Sequence, residues 1–167
     1  MDGSYVETAL TDAENAFQDT RGHTAESGLA VTDSALVQLR KACRLLEAAR
    51  TLRERNGYYT VVIEASFVAV ERSLQFYLLD RGHVSAEDLR YEHTRVYRHA
   101  TTVNLFSEAF ADRLTQLWQQ NRAEVYYRET VASAEQADAM VALAEAVHRY
   151  VLEYASLEHD CVCSSNP

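Results

Sequence analysis

The one proline of this chain is its last residue, Pro167, and only 5 glycines are spread over 167 positions. Proline and glycine supply the fixed and positive φ angles that tight turns need, so a chain this poor in both cannot make the many turns of a β-sandwich or the glycine loops of a nucleotide-binding α/β fold. Uninterrupted helix is what remains. At 47% hydrophobic and 25% charged residues, the chain is also neither a disordered polar segment nor a disulfide scaffold, and its length is enough to bury one sizeable core. No apolar run reaches the 18 or so residues that span a bilayer, and Met1-Asp2-Gly3-Ser4 lacks the basic start of a secretion signal. The expectation is a cytoplasmic protein without membrane contact.

Helical periodicity then locates the elements. Residues 4 to 19 begin with Ser4-x-x-Glu7, a capping-box pattern, and carry Val6, Leu10 and Phe17 among acids. Arg21 to Leu29 has the composition of a linker. From Asp33, apolar residues recur at three- and four-residue steps as Leu36, Leu39, Cys43, Leu46 and Ala49, leaving Arg40, Lys41, Arg44, Arg50 and Arg53 on other faces. Asn56-Gly57 separates this stripe from the next, which runs from Tyr58 to Asp80 through Ile63, Phe67, Val70, Leu74 and Leu78 and is widened by Val61, Val62 and Val68. That helix should be the most buried. Gly82 closes it, Ser85-x-x-Asp88 reads as the cap of a polar element over residues 86 to 100, and a fourth helix is expected from Val103 to Tyr127 on Phe106, Phe110, Leu114, Leu117 and Trp118. Ser133-x-x-Gln136 caps the last one, with Met140, Leu143, Val147, Tyr150, Val151 and Tyr154 as its stripe. Long amphipathic helices with short connections pack as an up-and-down antiparallel bundle, here of four to five helices. The organisation is therefore an acidic N-terminal helix and linker (1–33), an all-α bundle (34–155) and a flexible C-terminal tail (156–167).

Charge follows the same division. The total of −9 splits into −6 over residues 1–33, +2 over 34–121 and −5 over 122–167. The whole chain should repel nucleic acid at long range, while its middle can still touch phosphate. Lys41 is the one lysine among 16 basic residues, a bias expected of a GC-rich or salt-adapted source such as a halophilic archaeon.

Few residues carry the types needed for chemistry. There is no glycine-rich phosphate loop, no nucleophile elbow and no zinc-protease helix, and no cofactor is expected. Arg90, His93, Arg95, Arg98 and His99 crowd the third element. Arginine forks match phosphate, so this is a candidate phosphate or nucleic-acid patch, against the plainer alternative of a solvated face. His93 and His99 stand about 120° apart around a helix, which argues against a shared metal. In the tail, His159, Cys161 and Cys163 form His-x-Cys-x-Cys, a weak metal candidate one ligand short of a zinc site and otherwise a reducible tail. Cys43 sits on an apolar stripe as a small core residue. Arg122 stands four and five residues before Tyr126 and Tyr127, so guanidinium and phenol can share a polar site, unless the arginine merely complements a helix C-terminus.

Tyr58-Tyr59, Glu64-Ala65, Ala69-Val70-Glu71-Arg72 and Leu78-Leu79, then Asn121-Arg122-Ala123-Glu124-Val125-Tyr126-Tyr127, then Ser133-Ala134-Glu135-Gln136-Ala137 together resemble the HEPN superfamily of prokaryotic helical bundles over residues 34 to 155. The resemblance implies a homodimer, and in many members a metal-independent ribonuclease in which an arginine holds the scissile phosphate and a histidine shortly after it does acid–base work. Arg122 matches the arginine, but the residue five later is Tyr127, and a phenol titrating near 10 is a poor base at neutral pH. The chain is thus similar to the histidine-lacking branch, whose members accompany a nucleotidyltransferase in toxin–antitoxin or defence pairs. There Tyr127 would be the target of nucleotide transfer. The function expected from this is a dimeric component associated with a nucleotidyltransferase or RNA and lacking standard ribonuclease activity; the alternatives are a ribonuclease using Arg122 with His93 or His99 and, on helix packing alone, a structural adaptor.

Overall fold

The computed structural model describes residues 4–18, 26, 28–55, 57–89, 93–126 and 130–156. The chain divides into two compact units, residues 1–30 and 31–167. The first contains α1 (Ser4–Gln18), in which Val6, Leu10 and Phe17 fall on one stripe at helical spacing and Thr11 donates back to the Glu7 carbonyl at 3.0 Å. The second holds α2 (Ser34–Glu54), α3 (Tyr59–Asp80), α4 (His93–Thr102), α5 (Glu108–Gln120), a π turn over Asn121–Tyr126, and α6 (Ala134–Glu153). Among the described residues there is no strand, and the fold is an all-α helical bundle.

Side-chain pairs give the directions. The C-terminal end of α2 meets the N-terminal end of α6, where Arg53 bonds Asp138 through two parallel hydrogen bonds, Nη2 to Oδ2 at 2.8 Å and Nε to Oδ1, and Arg50 pairs with Glu145 at 2.6 Å. Further along, Cys43 meets His148, so α2 and α6 are antiparallel. Ser73 meets the same His148 and Asp80 accepts from the backbone of Ser156 at 2.6 Å, so α3 and α6 run the same way. Asn121, past the end of α5, bonds Glu64 near the start of α3. Direction therefore alternates along the chain, with α4 and α5 together forming the third leg of the up-and-down bundle. The arginines left outside the α2 stripe are not all idle, since Arg50 and Arg53 join α2 to α6.

The most buried helix is α3, as expected. Val62, Ile63, Phe67, Val70, Leu74, Phe76 and Leu78 are all buried, together with Ser66, Glu71 and Ser73, because α3 touches α2, α4 and α6. Alanines at the crossings (Ala42, Ala49, Ala69, Ala137, Ala144, all 0% exposed) let the backbones approach closely. Val61 departs from its expected place in the stripe and is half exposed.

Two element boundaries differ from the sequence expectation. The helix expected over 86 to 100 does not start at Ser85. The Asp88 carboxylate accepts from both the backbone N–H and the hydroxyl of Ser85 (2.9 and 2.7 Å), which closes a local turn, and α4 begins at His93. The helix expected over 103 to 127 is broken before α5. Asn104 takes the left-handed conformation at φ 57, its N–H bonding Thr101 O and that of Leu105 bonding Ala100 O, the pattern by which a helix terminates. Ser107 then caps α5 by accepting from the N–H of Phe110 at 3.2 Å. Asparagine tolerates this conformation through local hydrogen bonding, and no glycine or proline marks the break. At the end of α3 the expected glycine does this work, with Gly82 at φ 67 between the Gly82–Leu79 and His83–Leu78 backbone bonds. The capping box of α6 forms in both directions, Ser133 N–H to Gln136 Oε1 at 2.9 Å and Gln136 N–H to Ser133 Oγ at 3.2 Å.

Candidate functional site

Arg122 lies on the π turn that continues α5. A π turn admits an extra residue into the helix and shifts the side chains that follow, and such turns recur at functional sites. Here it carries Asn121 and Arg122 onto the first turn and a half of α3. Arg122 Nη2 pairs with Glu64 Oε2 at 2.9 Å, and Asn121 Nδ2 donates to the other oxygen, Oε1, at 2.6 Å. The Glu64 carboxylate is thus held by two groups from consecutive residues. The Arg122 guanidinium also lies over the indole of Trp118, 5.4 Å from the ring centroid, within cation–π range. Arg122, Asn121, Glu64 and Trp118 form one knot.

Of the residues expected to act with Arg122, Tyr127 lies outside the described residues and the side chain of Tyr126 is not described. Glu64, Asn121 and Trp118 carry the geometry instead. Glu64 was visible in the sequence as the one acid on the first turns of an otherwise apolar α3, but nothing in the spacing pointed it at Arg122, 58 positions away.

The arginine and histidine cluster is only partly assembled. Arg90 lies outside the described residues and the side chain of His93 is not described. On α4, Arg95 Nε donates to His99 Nε2 at 3.3 Å, which leaves the proton of a neutral imidazole on Nδ1. An arginine followed four to six residues later by a histidine is not expected anywhere in a chain of the histidine-lacking kind, yet Arg95 and His99 are such a pair, on α4 and not at Arg122. Arg98 is exposed. Beneath them Tyr97 is buried against Glu71 of α3, and burial together with that carboxylate pushes its phenol well above the ordinary range. Glu71 and Glu64 are seven residues apart, so the α4 cluster and the Arg122 knot meet α3 about two turns, or ~10 Å, apart. The third cluster, His159, Cys161 and Cys163, lies outside the described residues. Among the described residues no group of three metal-ligating side chains occurs, and no described helix is long and apolar enough to cross a membrane.

Inside the bundle a polar seam joins three helices. Ser73 donates to the Ala69 carbonyl at 2.8 Å, so its oxygen is left to accept from His148 Nδ1 at 2.9 Å, and His148 Nε2 then faces the Cys43 thiol at 3.8 Å. All three are buried. Cys43 is the core residue its stripe implied, but its partner is a histidine, which α6 hides on a face of alanine and valine.

Next to the knot, a groove of about 320 Å³ opens between α5, the π turn and α6, with Ile63 and Phe67 of α3 on its floor and Gln120, Asn121, Glu124 and Gln136 at its edge. Leu117 and Leu143 extend it into a shallower hollow that Arg113 borders. Leu117 was expected in the core, and it is 39% exposed.

No curated protein matches the chain, and no solved structure matches it. Residues 1–163 match the family described as a domain of unknown function (DUF8154), and the chain belongs to that family.

Proposed function

We propose that this protein is a HEPN-like helical bundle that acts as a dimeric component associated with a nucleotidyltransferase partner or with RNA, in a toxin–antitoxin or defence pair, and lacks standard ribonuclease activity. The observation that supports this reading is the state of Arg122. Its charge is already balanced by Glu64 at 2.9 Å and its face by Trp118. To grip a scissile phosphate, it would first have to leave a carboxylate that Asn121 holds in place. A charge pair of this kind fixes geometry more readily than it serves chemistry, and it suits an arginine that shapes a surface for a partner. On this reading Tyr127 is the acceptor of a transferred nucleotide.

The ribonuclease alternative, with Arg122 binding phosphate, is favoured by one observation: Arg95 Nε lies 3.3 Å from His99 Nε2 on α4, a guanidinium beside an imidazole, the two group types that acid–base chemistry on a phosphate ester uses.

Sedimentation of the purified protein, and cleavage of labelled RNA in chelator by native protein and Arg122→Ala, separate these readings. The expected result is a dimer without Arg122-dependent cleavage. Cleavage abolished by Arg122→Ala would establish the ribonuclease. A strict monomer that binds neither RNA nor nucleotide would overturn both in favour of a structural adaptor.

A further inference from the structure

The groove beside the knot holds an acceptor that no described residue uses. Asn121 is only 8% exposed and lines the groove. Its Nδ2 donates to Glu64 at 2.6 Å, and because a carboxylate can only accept, this fixes which end of the carboxamide is which. Oδ1 accordingly points away from Glu64 and accepts from no described residue. Oδ1 keeps solvent access, so it is an open acceptor available to water or a ligand. Glu124, three residues on, lines the same groove, and no basic residue does. Gln120 and Gln136 can donate and accept and do not discriminate by charge. Glu124 does.

The remaining walls are apolar: Ile63, Phe67, Met140, Leu117 and Leu143. The volume, about 320 Å³, is at the small end of the ~300–1,000 Å³ typical of small-molecule sites. A polar end made of one neutral and one anionic acceptor, above a hydrocarbon floor, complements a cationic N–H donor on an apolar body. The net charge of −9 favours approach of a cation.

We propose that this groove binds a small organic ammonium ion, its N–H donors shared between Asn121 Oδ1 and the Glu124 carboxylate and its hydrocarbon resting on Ile63, Phe67 and Met140. The site stands on these residues alone and does not depend on the HEPN reading. Trp118 is the single tryptophan and neighbours Leu117 of the groove, so its fluorescence reports occupancy.

Titration of the full chain with 2-phenylethylamine, 2-phenylethanol and 3-phenylpropionate tests the proposal, with calorimetry beside fluorescence. The expected result is saturable binding of the amine, about 5-fold weaker binding of the alcohol, as loss of one partly exposed charge contact predicts, and no binding of the carboxylate. Glu124→Gln should bring the amine down to the affinity of the alcohol and leave the alcohol unchanged. Ala139→Leu, at an exposed position of α6 that lines the groove, should abolish both without unfolding the bundle. Equal affinity for amine and alcohol, binding that survives Ala139→Leu, or no amine binding up to millimolar concentration would each overturn it.

Discussion

Helix α3 and helix α5 are built from similar stripes and end in different states. Thirteen of the 22 residues of α3 are buried, whereas of the 13 in α5 only Ala111 and Leu114 are. The difference is one of neighbours. α3 is covered by α2, α4 and α6, while the third leg of the bundle is divided between α4 and α5, and the break at Asn104 turns α5 so that Leu117 and Trp118 remain at the surface or half-buried. One leg of this bundle is therefore not fully used in packing. The knot, the π turn and the groove all occur along it, where side chains can be spent on binding without loss of core.

The two helices should differ most in what they contribute to stability. Leu74→Ala removes a side chain that is 0% exposed and should destabilise the protein by ~2–5 kcal/mol, the usual range for opening a cavity in a close-packed core. Leu117→Ala, at 39% exposure, should cost under ~1 kcal/mol. Urea unfolding of the two variants compares them directly. Equal losses would mean that α5 is as integral as α3 and that the groove is filled in solution. Ser73→Ala comes next. It deletes the acceptor of His148 Nδ1 in the buried seam, and an orphaned buried donor costs about 1–3 kcal/mol. Urea unfolding should show that loss with an unchanged denaturant slope, and a neutral result would mean that water or a rotated imidazole replaces the bond.

How far the sequence revealed this depended on whether a signal was local. The stripes of α2, α3 and α6, the Ser133–Gln136 capping box and the Gly82 terminus were all readable, because each is a relation between residues at most four apart or a residue type with a single use. The break between α4 and α5 was not, since Asn104 and Ser107 are common inside helices as well as at their ends. Nor was the knot: Arg122 was singled out for its neighbours in sequence, but its charge is answered by Glu64 on a different helix, 58 positions earlier in the chain. His148 shows the same limit, because a polar residue on an apolar face gives no hint that Ser73 and Cys43 will meet it.

Tyr97 decides to which side of the comparison α4 belongs. Its phenol is pushed above the ordinary value of 10 by burial and by Glu71, so above pH ~10 the unfolded chain loses a proton that the folded one retains, and stability must fall as pH rises further. Tyr97→Phe should flatten that alkaline slope and leave the curve near pH 7 little changed. If the native slope and that of Tyr97→Phe coincide, the phenol ionises freely and α4 opens from α3 before the bundle unfolds.

The smallest effect expected is at the tie between α2 and α6. Asp138 has its carboxyl held below the ordinary range, first by the hydrogen bond from Arg53, which outweighs an upward push from desolvation, and with a smaller contribution from the Arg53 charge. A carboxyl whose folded value is depressed contributes stability that is present above its unfolded value, near 4, and is lost as pH falls through the folded one. Asp138→Asn should therefore be less stable than the native protein at neutral pH by a margin that narrows below pH ~4 and closes at lower pH. Because the pair is at the surface, the margin should also shrink in high salt. Thermal unfolding at several pH values, with and without added salt, measures both trends. A margin independent of pH and salt would show that Asp138 acts through packing at the start of α6, and the three-helix core would then owe nothing to its charged rim.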